Sequence, residues 1–189
     1  FDTASAPQFN RPVVAPRTTY AVASARQEFG EEASTLGGLG TLVHRDLEPG
    51  SSLAHPLSEN AYSALAEGRL RWAGGRYDIN SWFGVTNIHG DSVAMLRQQR
   101  SSRRYFQRPD RFRIDSTLRS MSGYTFGLGH SKLAGKHWLW DIDLLRQSPG
   151  LEPNDAGSMG AVDNVFFNTQ VRWRQTTPSR WYRRYDFGI

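Results

Sequence analysis

Strict alternation of apolar and polar residues is the feature of this 189-residue chain that most constrains its fold. In the stretch RYDINSWFGVTNI, Tyr77, Ile79, Phe83 and Val85 fall on one face. The other face carries the polar residues Arg76, Asp78, Asn80 and Thr86. Because a period of two is that of a β-strand, the stretch predicts a strand with two chemically different sides.

The same alternation recurs along the chain and predicts about eight antiparallel strands. They fall at 20–29, 35–43, 61–72, 76–88, 123–132, 138–145, 165–174 and 181–189. Residues 1–19 contain three prolines and no periodicity, which predicts an extended arm. We therefore predict an all-β chain in which 20–189 form an antiparallel up-and-down meander.

Connection lengths alternate along the chain. The short connections are 30–34, 73–75, 133–136 and 176–180, and the long ones are 44–60, 90–112 and 146–163. In a meander this sorting puts all tight turns at one end of the sheet, as in outer-membrane barrels. The pattern favours an outer-membrane β-barrel or a segment of one. The alternative is a soluble β-sandwich-like domain, in which the same apolar residues face inward.

Composition and spacing argue against a catalytic or metal-binding role. The chain has no cysteine and therefore no thiolate site, and no two of its five histidines have ligand spacing. Two alternatives stay open: a barrel-embedded lipid hydrolase using a pair such as His130 and Ser131, and a calcium site within 152–164. The sequence predicts no enzyme activity, no cofactor and no metal.

Two loop motifs resemble those of a known family. RSSRRYFQRPD at 100–110 and SPGLEPNDAG at 148–157 are similar to motifs of a bacterial outer-membrane family of unknown function. Its members carry an N-terminal domain like the carbohydrate-binding modules of family nine, followed by a barrel-like C-terminal region. The resemblance covers 40–189, within that C-terminal region, and it implies a barrel fold. No sugar-binding role is carried over.

The segment QQRSSRRYFQRPDRFR, 98–113, holds six of the 21 arginines in a chain of net charge +5. The overlapping stretch SVAMLRQQRSSRRYF, 92–106, predicts a short helix that ends before Pro109. Arginine forks suit phosphate, so this long loop predicts a contact with membrane lipid or lipopolysaccharide, or with other membrane-complex subunits. The candidate contact residues are Arg100, Arg103, Arg104, Tyr105, Phe106 and Arg108. Alternatively the loop folds back onto its own acids (Asp110, Asp155 or Asp163); nucleic acid is the weaker fit.

Taken together, these patterns predict a non-catalytic, membrane-associated β protein with a structural or transport role. The predicted location is the outer membrane of a bacterial cell envelope. The alternative from another class is a β-rich accessory subunit docked on a larger membrane complex, at its periplasmic face.

Overall fold

The computed structural model describes residues 14–104, 106, 114–153 and 159–189 and shows an all-β chain with one short helix. The eight strands are β1 (Thr18–Phe29), β2 (Ser34–Arg45), β3 (Ser58–Trp72), β4 (Tyr77–Gly90), β5 (Ser120–Lys132), β6 (Trp138–Gln147), β7 (Asn164–Gln175) and β8 (Tyr185–Gly188). The helix, α1 (Ser92–Gln99), lies in the connection between β4 and β5. The described part of the predicted arm is 14–19, where β1 already begins at Thr18; residues 1–13 lie outside the described ranges.

Each strand pairs antiparallel with its neighbours in sequence, so the strand order in space is β1 to β8. The predicted eight-stranded meander is confirmed. Within the described residues no ladder joins β1 to β8, and the sheet is therefore open at both edges. No helix among those residues is long and apolar enough to cross a membrane.

The register sorts the side chains onto the two faces that the alternation predicts. Phe83 lies between Ala66 and Phe126, whereas Trp82 on the other side lies between Glu67 and Gly127. We call the side of Phe83 the apolar face and the side of Asp78 and Trp82 the polar face. The polar face is not uniform, because it also carries Leu39, Leu65, Trp82, Leu145 and Phe166 in two adjacent cross-strand rows.

Three of the four predicted short connections are tight turns, and the fourth, predicted at 176–180, is longer and spans 176–184. Tight turns at 30–33, 73–76 and 133–137 lie at one end of the sheet, here called the turn end. Gly74 and Gly75 adopt φ of 67° and 72° in the second turn, a conformation that glycine adopts without steric cost. The connections 46–57, 91–119 and 148–163 lie at the opposite end, the loop end.

Two predicted boundaries are wrong. The last strand begins at Tyr185 rather than 181, because a backbone hydrogen bond from Ser179 to Tyr182 closes a turn there and leaves Trp181 87% exposed. The helix ends at Gln99, well before Phe106, because the chain turns at Arg100 to carry Arg104 into the protein interior.

The main core lies at the loop end of the polar face. Val43, Ala61, Ile88 and Met121 form one cross-strand row there, and α1 covers it with Ala94 and Met95. Helix α1 begins with an N-cap in which the Asp91 carboxylate accepts from the amide of Val93 at 2.7 Å. Leu151, Met159 and Val162 form a second, smaller cluster. Both clusters thus pack the long connections against the polar face of the sheet. Among the described residues, no such cluster covers the apolar face.

Candidate functional site

A buried ion pair joins the two longest connections at the loop end. The Arg104 side chain is fully buried and pairs with the Glu152 carboxylate, which is 4% exposed. The same guanidinium donates to the Leu151 carbonyl at 2.6 Å and to Gln98 Oε1 at 3.3 Å. Burial, and secondarily the charge of Arg103, lowers the pKa of Arg104 to about 10, so it is a cation at neutral pH.

The segment that carries Glu152 lies directly on the sheet. The Glu152 amide donates to Thr86 Oγ1 at 2.9 Å, and a Cβ added at Gly123 would stand 2.0 Å from the Leu151 nitrogen. A Cβ at Gly150 would stand 2.0 Å from the Ser122 carbonyl oxygen. Two backbones therefore meet at positions where only glycine fits.

One further backbone hydrogen bond links the two connections. The amide of Val162 donates to the carbonyl of Arg103 at 2.9 Å. Residues 91–104, 148–153 and 159–163 thus form one unit, which we call the loop cap. It covers the loop end of the polar face.

The structure separates the predicted contact residues. Arg100 and Arg103 are exposed, whereas Arg104 is buried and Phe106 packs against the main core. Tyr105 and Arg108 lie outside the described residues. Arg104 cannot contact a lipid or a partner without leaving its pocket, whereas Arg100 and Arg103 lie at the surface.

The alternative in which the arginine loop pairs with acidic residues of its own chain holds for Arg104. Its partner, however, is not one of the three acidic residues named from the sequence. Arg104 pairs with Glu152, an acid that the sequence placed in a candidate calcium site. Asp163 pairs instead with Arg146 at 3.2 Å, while Asp110 and Asp155 lie outside the described residues. Sequence spacing gave no signal for the Arg104–Glu152 pair, because 48 positions separate the two residues.

A second charged cluster lies on the polar face towards the turn end. Asp78 is only 2% exposed and accepts hydrogen bonds from Arg69 Nε at 2.6 Å and from Arg71 Nε at 3.1 Å. On the next strands Ser131 donates to Asp141 at 2.5 Å. The polar face is thus stabilised by cross-strand hydrogen bonds between charged and polar groups.

The described residues weighed for catalysis or metal binding are not brought together, and Asn154 and Asp155 of the candidate calcium segment lie outside the described ranges. His130 stacks near Trp72 and Trp140 on the apolar face, whereas Ser131 lies on the polar face. Among the described residues no group of three or more His, Asp or Glu side chains is placed to hold a metal ion. The pair His130 and Ser131 therefore offers no nucleophile and base in contact.

No family model, curated protein or solved structure matches the chain. The family resemblance drawn from the two loop motifs therefore stays a hypothesis.

Proposed function

We propose that the sheet is a wall of a membrane-spanning β-barrel in a bacterial outer membrane, with its apolar face towards lipid and its polar face towards the interior. The role is structural or transport-related, and the chain carries no chemistry of its own. The observation that carries this proposal is the uncovered apolar face, combined with a polar face that receives the loop cap.

Large apolar side chains stand exposed along the whole apolar face. Those between 37% and 68% exposed are Phe29, Leu36, Leu42, Tyr62, Leu70, Phe83, Val85, Tyr124, Leu128, Trp138, Ile142, Val165, Phe167 and Phe187. Continuous apolar surface of this extent is rare on soluble monomers, because it costs free energy in water. Lipid, or a large partner, is needed to cover it.

Aromatic side chains flank the apolar face, as interfacial belts do in membrane proteins. At the turn end, Trp72 stacks on Tyr77 at 5.3 Å and Trp140 lies next to Tyr77. Tyr62 and Tyr124 lie towards the loop end, beyond which the face becomes polar with His44, Asn60 and His89. The apolar band therefore has aromatic residues near both of its ends.

The height of the apolar band fits a membrane. Tyr62 and Trp72 mark its two ends on β3 and are ten residue steps apart. At about 3.4 Å per residue this is about 34 Å along the strand. A tilt of about 35–45° reduces it to about 24–28 Å, against about 25 Å in known barrels.

The loop end would then face the outside, where the outer leaflet carries lipopolysaccharide phosphates. Arg100 and Arg103 are exposed there and supply the guanidinium forks that phosphate binding uses. The double variant Arg100→Glu with Arg103→Glu should lower retention on vesicles containing anionic lipid by at least about tenfold in affinity, at about 1 kcal/mol per charge near the surface. The matched control is Arg26→Glu with Arg76→Glu, which changes two exposed arginines at the turn end by the same total charge; equal loss in both double variants would contradict the assignment.

The direct test of the location is fractionation of the native host with salt and carbonate washes before detergent. We expect retention in the outer-membrane fraction. We also expect the unheated protein to migrate anomalously on a denaturing gel, because it stays folded until it is heated. Release by the washes would mean that the apolar face is covered by protein rather than by lipid.

The open sheet favours one alternative, the accessory subunit docked on a larger membrane complex. The outer edges of β1 and β8 have no strand beside them within the described residues, and such edges pair readily with other chains. In that case the protein would leave the membrane together with its partners. Co-purification with an inner-membrane complex after washing would favour this alternative over the barrel.

A further inference from the structure

A groove of about 700 Å³ interrupts the polar face between the loop cap and the Asp78 cluster. Its walls include Leu39, Leu65, Trp82, Leu145 and Leu151, so its surface is mainly apolar. Its volume falls in the range of about 300–1,000 Å³ that small-molecule sites occupy. A polar face that only contacts water or forms ion pairs does not require an apolar groove of this kind.

The floor of the groove is flat because of two glycines on β5. Three consecutive ring atoms of Trp82 lie 2.1, 2.3 and 2.4 Å from the position that a Cβ would take at Gly127. These three distances are possible only if the Cβ position at Gly127 lies over the face of the indole ring. If it approached the edge of the ring, two of the three ring atoms would be about 3 Å away from it. One face of the indole therefore rests on the backbone of Gly127, which leaves the opposite face for the groove.

The neighbouring pair repeats this arrangement. Asn80 lies opposite Gly129 in the register, and its amide atoms stand 2.7, 2.8 and 3.0 Å from a Cβ built there. Asn80 and Trp82 are two residues apart on the same face of β4 and both line the groove. An indole and an amide thus form one continuous shelf, apolar at one end and hydrogen-bonding at the other.

The charges at the groove favour a neutral ligand. Arg26 lies 3.8 Å from Glu67, and Arg69 is hydrogen-bonded to Asp78 at 2.6 Å. Each charged side chain that lines the groove therefore already has an opposite charge beside it. A charged ligand would lose hydration without gaining an unpaired counter-charge.

We infer that this shelf, formed by Trp82 and Asn80 on Gly127 and Gly129, binds a small, neutral, planar aromatic molecule carrying an amide-like group. The ring stacks on the indole between the leucines, and the polar group bonds the Asn80 amide. The inference goes beyond the barrel proposal and needs only that water reach the polar face. Its failure would leave the lipid test unaffected.

The test is equilibrium dialysis of the full chain in lipid nanodiscs, with empty discs as background. The first probe is 4-nitrobenzamide, which is neutral and planar. Cyclohexanecarboxamide has the same polar group on a ring that is not flat, 4-nitrobenzoate carries a negative charge, and methyl glucoside is a neutral sugar. The nitrobenzamide should bind at least about fivefold more tightly than each of the other three. Cyclohexanecarboxamide and methyl glucoside have no aromatic ring to stack on the indole, and 4-nitrobenzoate would lose the hydration of its charge.

Two substitutions remove the shelf in different ways. Trp82→Ala deletes the ring, and Gly127→Ala places a methyl group where the ring lies. Both should weaken binding of 4-nitrobenzamide by about tenfold, and Trp82→Phe by less, because a smaller ring still stacks. The control Trp181→Ala changes an exposed tryptophan outside the strands and should bind normally.

Several outcomes would overturn the inference. Tighter binding of 4-nitrobenzoate would show an anion site, and tighter binding of methyl glucoside a sugar site. Equal binding by wild type, Trp82→Ala and Gly127→Ala would place any bound probe elsewhere. Absence of binding by a wild-type chain that shows the expected β-sheet circular dichroism would exclude the site.

Discussion

The ion pair of Arg104 and Glu152 gives the sharpest energetic prediction. Arg104→Met removes a fully buried cation that pairs with a carboxylate only 4% exposed, and it also removes the donor to the Leu151 carbonyl. Removing one partner of a buried ion pair lowers the free energy of unfolding by about 3–5 kcal/mol. Because that pair joins two loops and no strand, the cost should appear as opening of the loop cap, with the sheet retained.

Hydrogen exchange read by mass spectrometry measures that opening directly. The amides to follow are those of Glu152, bonded to Thr86, and Val162, bonded to the carbonyl of Arg103. A loss of about 3–5 kcal/mol corresponds to a fall in protection of about a hundred- to several-thousand-fold. Amides in the ladder between β3 and β4 should keep their protection from hydrogen exchange, because the loop cap opens while the sheet stays folded.

A double substitution separates the ion pair from simple packing. Arg104→Met with Glu152→Leu removes both charges and should recover most of the lost protection, since apolar replacements of a buried pair are often neutral. Arg103→Met, at the exposed neighbour, should change stability by no more than about 0.5 kcal/mol. The reasoning would be refuted if Arg104→Met cost no more than Arg103→Met, or if the double variant lost the sum of the single losses.

Three further predictions test other parts of the structure. Gly123→Ala places a Cβ 2.0 Å from the loop backbone and should destabilise the cap by about 2 kcal/mol or more, whereas Gly40→Ala meets nothing closer than 4.0 Å and should be tolerated; hydrogen exchange of 148–153 compares them. Asp78→Asn should lower the free energy of unfolding in urea by about 2 kcal/mol, because two charged hydrogen bonds are lost while the half-exposed arginines rehydrate; no change would show that the cluster is not stabilising. Leu128→Arg, on the apolar face, should reduce refolding stability in lipid by about 2–4 kcal/mol, and Leu145→Arg, on the polar face, by clearly less; the opposite order would invert the assignment of the faces.

Alternation was sufficient to predict the strands, because it depends only on which side chains share a face. Every apolar residue cited from 76–88 lies on one face of β4, and the neighbouring strands follow in register. Connection lengths likewise predicted which end carries the loops. The predicted start of the last strand is wrong because WYRRYDFGI alternates over nine residues, whereas only the end of that stretch pairs with β7.

The candidate site was less predictable, because it depends on contacts between distant segments. Nothing in RSSRRYF distinguishes Arg104 from Arg103, yet one is fully buried and the other exposed. The difference comes from the loop at 148–153, which supplies Glu152 and the carbonyl of Leu151. The glycines carry a partial signal in the sequence: Gly123 and Gly127 share a strand face, which is typical of close packing, but the spacing does not tell which groups fill the space.

The central claim is that lipid covers the apolar face, and two tryptophans on opposite faces test it most directly. Two variants are needed, each keeping one tryptophan: Trp140 on the apolar face or Trp82 on the polar face, with phenylalanine at the other five positions. Each is reconstituted into vesicles with brominated acyl chains, which quench tryptophan fluorescence on contact. The barrel predicts strong quenching of Trp140 and little quenching of Trp82. Equal protection of both tryptophans, or quenching of Trp82 alone, would contradict it.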